Sequence, residues 1–332
     1  MKAVVFSQKG KVETVEMEAP KPRMGQMLVE VKAAGLCGTD RSIVRGRAEA
    51  VPGVVLGHEF AGVIREIGEM VPSGFLDKAV VVDPNISCGV CGPCRRGAPH
   101  LCSFLMAYGV DLDGGFAEYC LVDMKQVHFF DSSVIPFELA AFAEPLSCCI
   151  HGLDRAQVRA GEAALVIGAG PVGIMLAQLL MVSGAGFIGI TDRNKKRLQI
   201  AEELDLMVLT GGDLRRLKGQ MDVVFEAAGT KSAEALALQY AGPGGRVVFF
   251  GKPAVGESLP LSPSLVFEKE LTLLGSLLNP FTMSRAIEVL EADMLYLEEL
   301  ISHRISLEQL PSFLTRAPQE GEMKVMVLPG ED

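Results

Sequence analysis

The stretch Ala163–Asp192, AALVIGAGPVGIMLAQLLMVSGAGFIGITD, constrains this chain more than any other. An apolar run, Ala163–Ile167, meets a glycine-rich turn, Gly168-Ala-Gly170-Pro171-Val172-Gly173. An apolar helical pattern follows over Ile174–Val182, and a second apolar run, Phe187–Ile190, ends at Thr191-Asp192. This reads as strand, turn, helix, strand and acid. Gly168 permits the tight turn, Gly170 lets the backbone approach a pyrophosphate, and Gly173 lets the helix sit close to the strand. The helix N-terminus offers free N–H groups and the positive end of its dipole to that pyrophosphate. Asp192 follows Gly173 by 19 positions, a spacing that suits a carboxylate accepting hydrogen bonds from an adenosine ribose.

Hydropathy alone would make residues 163–182 a membrane span, because Gln178 is their one clearly polar side chain. Three glycines and a proline in the first third, the lack of a basic flank, and the direct run into a second strand favour a buried strand and helix instead. The rest of this half repeats the alternation. Helices are expected at Arg197–Glu203 and Ser232–Tyr240. Strands are expected at Asp222–Glu226, Arg246–Phe250 and Leu271–Gly275. Strands separated by helices imply right-handed crossovers, hence an α/β doubly wound parallel sheet. Ligands of such sheets bind beyond the carboxyl ends of the strands, where Gly168, Asp192, Gly229 and Gly251 fall.

The first third has a different period. Ala3–Phe6, Lys11–Glu16 and Met27–Ala33 read as short strands separated by Pro20, Pro22 and Gly25. Cys37 follows between glycines, and Gly57-His58-Glu59 comes 21 positions later. Cys37 reads as a small buried residue, His58 as a satisfied core histidine and Glu59 as a surface charge. Together the three also offer a thiolate, an imidazole and a carboxylate, a set that suits Zn²⁺. Both readings stand on the residues alone. Glu144, before Pro145 in an apolar segment, is either a helix N-terminal carboxylate or an acid that needs a partner or a metal.

Cys88, Cys91, Cys94 and Cys102 lie within fifteen residues, interleaved with glycine and proline. They can close a tetrahedral Cys₄ zinc site, and with so little apolar content around them the metal would define that lobe. A disulfide framework, an iron–sulfur cluster and a nucleic-acid-binding zinc knuckle compete with this. The start, Met1–Phe6, is too short for a signal peptide's apolar region, so the chain reads as cytoplasmic, where eight cysteines favour metal or catalysis over disulfides. A net charge of -10 gives two arginines in the lobe no basic face to belong to, which argues against a nucleic-acid partner. From Pro280 the pattern changes to a helix at Met283–Ala292, a strand at Ile301–Ile305, a helix at Leu307–Leu314 and a final strand at Lys324–Leu328. That last strand has no crossover helix beside it and is expected to return to the first, antiparallel sheet.

Taken in order, CGTD at 37–40, GHEFAGVI at 57–64, the four-cysteine lobe, AEPL at 143–146 and GAGPVG at 168–173 resemble the zinc-dependent medium-chain alcohol dehydrogenases, most closely the polyol (sorbitol-type) branch. The resemblance implies a GroES-like catalytic domain over 1–151 with a structural zinc lobe at 86–104. It also implies a Rossmann NAD-binding domain over 152–280 and a C-terminal segment, 281–332, returning to the catalytic domain. Two Zn²⁺ per subunit are implied: a catalytic ion at Cys37, His58 and Glu59, with Glu144 reaching it directly or through water, and a structural ion at the four cysteines. Thr39 matches the hydroxyl that passes the proton outward. NAD would be met by Gly168, Gly170, Pro171, Val172, Gly173, Asp192, Arg193, Arg197, Gly229, Gly251, Leu277 and Asn279. The carboxylate of Asp192 would repel the extra phosphate of NADP, and Arg193 would soften that preference. The implied reaction takes a secondary alcohol of a polyol to a ketose, in a homodimer or homotetramer, with no nucleic acid or membrane partner. An amino-alcohol or sugar-phosphate alcohol dehydrogenase and a non-catalytic NAD-binding redox sensor are the alternatives. Three departures from the family's pattern stand out. Ser42 stands where many relatives carry histidine, Ile43 where the sorbitol enzymes carry an aromatic, and Leu278-Asn279 where they carry Arg-Tyr. Asn279 is expected to supply one of the lost hydrogen-bonding groups.

Overall fold

The computed structural model describes residues 1–253, 256 and 258–330. The chain forms two compact units. One holds residues up to Pro145, then Pro280–Asp293 and everything from Leu297; the other holds Leu146–Asn279 and Met294–Tyr296.

The first unit is built on strand Gln26–Leu36, eleven residues long. Along one edge it pairs antiparallel with Glu59–Ile67, from Met27 opposite Ile67 to Gly35 opposite Glu59. Along the other it pairs first with Tyr119–Asp123 and then, at Ala34–Leu36, with Lys324–Val327. Ile301–Ile305 in turn pairs in parallel with Lys324–Val327. Ala79–Val82 and Val127–Phe129 extend the sheet beyond Glu59–Ile67. A smaller antiparallel sheet comprises Lys11–Glu16, Lys2–Gln8 and Val54–Val55. Val29, Val31, Phe60, Ile64 and Phe116 pack between these elements with almost no exposure. Burying each contributes about 1.5–3 kcal/mol. The burial of this strand's first residues carries Glu59, and His58 just before it, to a buried edge.

The second unit is a six-stranded parallel sheet in the order Met207–Val208, Phe187–Thr191, Ala163–Ile167, Met221–Glu226, Ala241–Phe249, Thr272–Gly275. This is the doubly wound order whose strand direction of growth reverses beside Ala163–Ile167, the point where ligands bind. The edge strand Met207–Val208 and the helices Gly211–Arg216 and Pro263–Lys269 were not anticipated, since their short runs carry no clear period. The helix expected at Leu307–Leu314 forms later, at Leu310–Thr315, where Pro311 takes an early-turn position that needs no N–H donor. Among the described residues no helix is long and apolar enough to cross a membrane, so the apolar stretch 163–182 is a core strand and helix.

Candidate functional site

Strand Gln26–Leu36 ends directly at Cys37, which is the N-cap of helix Gly38–Val44. Asp40, fully buried in the first turn of that helix, accepts the backbone N–H of Cys37 through Oδ2 at 2.8 Å. Its Oδ1 lies 3.3 Å from Nδ1 of His58, leaving Nε2 as the ring nitrogen available to a ligand. The donor atoms of Cys37, His58 and Glu59 all lie within 4.8 Å of one another. Ligand atoms bonded at about 2.0–2.3 Å to one zinc ion are that close, and thiolate, imidazole and carboxylate are zinc's own donor types. The three residues fit the metal. Glu144 does not share that mutual spacing; it lies buried in the first turn of helix Ala143–Ala156.

Cys88, Cys91, Cys94 and Cys102 form a second group with sulfurs within the same 4.8 Å. The Sγ of Cys91 is 3.4 Å from that of Cys94 and 3.8 Å from that of Cys102, close to the roughly 3.8 Å edge of a tetrahedron of zinc–sulfur bonds. All eight cysteines are free thiols, so the disulfide framework is not formed. Backbone N–H groups of Cys88 and Phe104 point at the Cys102 sulfur, each at 3.3 Å, and the N–H of Cys91 points at that of Cys88. Such donors favour the thiolate, and those of Cys94 and Ser103 bring the Cys91 thiol down to about 6.

In the second unit, strand Ala163–Ile167 turns at Gly168 (φ +114°) into helix Pro171–Val182, capped by Gly170. A Cβ on Gly173 would overlap the carbonyl oxygen of Gly168, so the helix can sit this close to the turn only as glycine. Asp192 closes the next strand. Its Oδ2 accepts the N–H of Ala169 at 2.7 Å and its Oδ1 that of Asn194 at 2.8 Å, which ties the acid to the glycine turn. Gly170 is open, with the guanidinium of Arg197 its nearest side chain. Gly229 and Gly251 meet at the ends of the next two strands, where a Cβ on Gly251 would overlap the Gly229 nitrogen. A bare turn, an open helix N-terminus and an adjacent acid fit a dinucleotide.

Residues 23–131 match the family described as Alcohol dehydrogenase GroES-like domain, and residues 171–292 match Zinc-binding dehydrogenase. The D-altritol 5-dehydrogenase of Agrobacterium fabrum is 35% identical over 98% of this chain and 98% of its own. The chain belongs to the zinc-type alcohol dehydrogenase family. D-arabinitol dehydrogenase 1 of Uromyces fabae is 29% identical, over 99% of this chain and 97% of its own. A zinc-binding dehydrogenase from Sinorhizobium meliloti 1021, solved bound to NADP, superposes with a TM-score of 0.96 at 34% identity, covering 99% of each chain. This dehydrogenase is thus a zinc-dependent oxidoreductase of the alcohol dehydrogenase type, with a GroES-like unit and a Rossmann sheet.

Burial and close charges compete around Cys37, His58 and Glu59. Burial opposes the charge on His58, but Asp40 and the Cys37 sulfur outweigh it and raise its pKa well above the ordinary 6.5. Burial pushes the Glu144 carboxyl up to about 7; His58 and Lys324 draw it down, while Glu59 and Asp83 add to the rise. Lys324 is the group the sequence reading gave no role. Its Nζ lies 2.5 Å from Oε2 of Glu59, and both side chains are nearly inaccessible. Asp40 was likewise assigned nothing, although an acid three residues after a helix cap is a legible signal.

The remaining expected residues scatter. Thr39 sits half-buried in the first turn after Cys37. Ser42, which replaces the relay histidine, donates its hydroxyl to the Gly38 carbonyl at 2.9 Å. Ile43, which replaces the aromatic, is fully buried in the core of the first unit. In the second unit Pro171 and Val172 begin the helix behind the glycine turn, Arg193 is exposed beside Asp192, Leu277 is half exposed, and Asn279 is buried.

Proposed function

We propose that this chain oxidises a secondary alcohol of a sugar alcohol to a ketose, with NAD as the hydride acceptor. The carrying observation is the Cys37, His58 and Glu59 donor set in a chain similar to altritol and arabinitol dehydrogenases along almost its whole length. Bound zinc and NAD supply Lewis acidity at the alcohol oxygen and a hydride acceptor. The chain's own residues do the rest. Cys37, His58 and Glu59 hold the ion, and Asp40 orients His58. Glu144, buried and close enough to His58 and Glu59 to feel their charges, would reach the ion directly or through water. Thr39 passes the alcohol proton outward; Ser42 is committed to a helix carbonyl and is a poor substitute for the relay histidine. Cys88, Cys91, Cys94 and Cys102 hold a structural zinc.

Gly168, Gly170, Gly173, Gly229 and Gly251 cradle the dinucleotide, with Arg197 over the turn. Asp192, partly exposed and acidic, favours the free ribose hydroxyl of NAD over the phosphate of NADP. The first unit is the catalytic domain and the second the cofactor domain. Strand Thr272–Gly275 has a partner on one side only among the described residues, which suits assembly into a homodimer or homotetramer. Free thiols suit a reducing, cytoplasmic setting.

The deciding experiment measures initial rates of NAD⁺ reduction over a panel of polyols, simple secondary alcohols, threonine and sugar-alcohol phosphates, with and without a zinc chelator. Chelator-sensitive turnover of a polyol is the expected result. Turnover confined to threonine or a phosphate moves the substrate to the amino-alcohol or sugar-phosphate class. No turnover by a protein that binds NAD and zinc refutes catalysis on this panel and leaves the sensor.

A further inference from the structure

The Glu59 carboxylate is held from behind, and Gly35 makes the room for it. Glu59 pairs across the sheet with Gly35, and Gly35 pairs on its other edge with Met326, two residues from Lys324. A side chain at Gly35 would lie between the two charged groups. Its Cβ would overlap Oε2 of Glu59 and touch Cδ of Lys324 at 3.4 Å. With no side chain there, Nζ of Lys324 reaches Oε2 at 2.5 Å. Lys324 also sits 5.7 Å over the Phe142 ring, which keeps its cationic end in place.

We propose that Lys324 is a positioning residue that holds Oε2 of Glu59 in the Gly35 notch, so that Glu59 offers the metal a single oxygen and binds it less tightly. This rests on the reading of Cys37, His58 and Glu59 as the zinc site. A carboxylate shared with an ammonium group donates less to the ion, and a buried positive charge close to a cation weakens its binding directly. A zinc ion held by Cys37, His58 and a Glu59 restrained in this way would supply stronger Lewis acidity to a substrate oxygen. Most partners behind a metal ligand strengthen the site, so the sign predicted here is the opposite of a supporting residue's.

The test is zinc affinity, read by competition with a chromophoric chelator on the full chain, for wild type, Lys324→Met and Gly35→Ala. The atom that the alanine would meet most closely is Oε2 of Glu59, the far end of a side chain rather than backbone, so this second variant disturbs the pair while leaving the ammonium group in the chain. Both variants are expected to hold the zinc of this site about tenfold more tightly than wild type, since each separates the carboxylate from the ammonium charge. Unchanged or weaker binding in Gly35→Ala overturns the proposal. A wild-type chain that takes up zinc at its four cysteines alone overturns the metal-site reading itself, and the proposal with it.

Discussion

Asp40 joins two of the three proposed ligand positions: Oδ1 faces Nδ1 of His58 at 3.3 Å, and Oδ2 accepts the backbone N–H of Cys37 at 2.8 Å. One buried carboxylate therefore fixes the ring orientation of one ligand and the main-chain position of another. Asp40→Asn keeps the shape and an acceptor for Cys37 but removes the charge. Zinc affinity at this site is expected to fall by about 10–100-fold, the usual effect of losing a partner behind a metal-bound histidine. Chelator competition measures it, with the four-cysteine zinc as an internal standard. Unaltered affinity would restrict Asp40 to capping the helix.

On the proposed reading, Asp192 carries the cofactor preference. Asp192→Ala should raise the ratio of kcat/KM for NADP to that for NAD by about tenfold or more, the size of one lost charge-assisted hydrogen bond to the ribose. The same variant releases the N–H groups of Ala169 and Asn194, so NAD should also bind less well. Steady-state kinetics with both cofactors decides it; an unchanged ratio would place discrimination elsewhere, with Arg193 the first candidate.

Gly173→Ala forces a methyl group against the Gly168 carbonyl, a backbone atom that cannot swing aside. A cost of about 1–3 kcal/mol is expected, as for overpacking elsewhere. It should appear as a lower thermal midpoint and weaker NAD binding, with the zinc content of both sites intact. A variant as stable as wild type would mean that the helix shifts without penalty.

Glu322 gives a pH-dependent prediction. Its two oxygens accept from Arg41 and Arg316, each at 2.6 Å, and its side chain is inaccessible. Burial works against its charge, but the two guanidiniums outweigh it and hold the carboxyl below its ordinary 4.5. A carboxyl depressed in the folded state stabilises it fully above the unfolded value, and loses that contribution as pH falls through the folded value. Glu322→Gln should therefore cost about 3 kcal/mol at pH 7, and the gap to wild type should narrow below pH 4.5. Denaturant titrations at the two pH values test this; a gap independent of pH would assign the loss to shape alone.

Much of this architecture was legible in the residues because its signals are local. The Gly168–Asp192 unit is written in one contiguous stretch, and the cysteine lobe in fifteen residues. Their periods and spacings carry the physics directly. Cys37, His58 and Glu59 needed more, since two readings stood until strands Gln26–Leu36 and Glu59–Ile67 brought them together. Lys324 was beyond reach. It lies 265 positions from Glu59, and a single lysine in the run Met323-Lys-Val-Met-Val327 gives no hint of its partner. The substituted positions Ser42 and Ile43 were noticed, but that one is tied to a carbonyl and the other lies in the core depends on the local turn and on three-dimensional packing.

The strand Lys324–Val327 is inserted beside Ala34–Leu36, the three residues that lead into Cys37. During synthesis that edge waits while nearly three hundred further residues are made, and residues 146–279 can settle into their own parallel sheet in the meantime. The order in which the two folds are completed is thus the reverse of the order in which they are begun. The cofactor-side fold can be finished first, and the metal-side sheet is completed only when the last strand emerges. A ribosome that stalls before Lys324 would leave a nascent chain with its Rossmann sheet complete and the ligand-bearing edge of the other sheet open, a product for quality control to recognise.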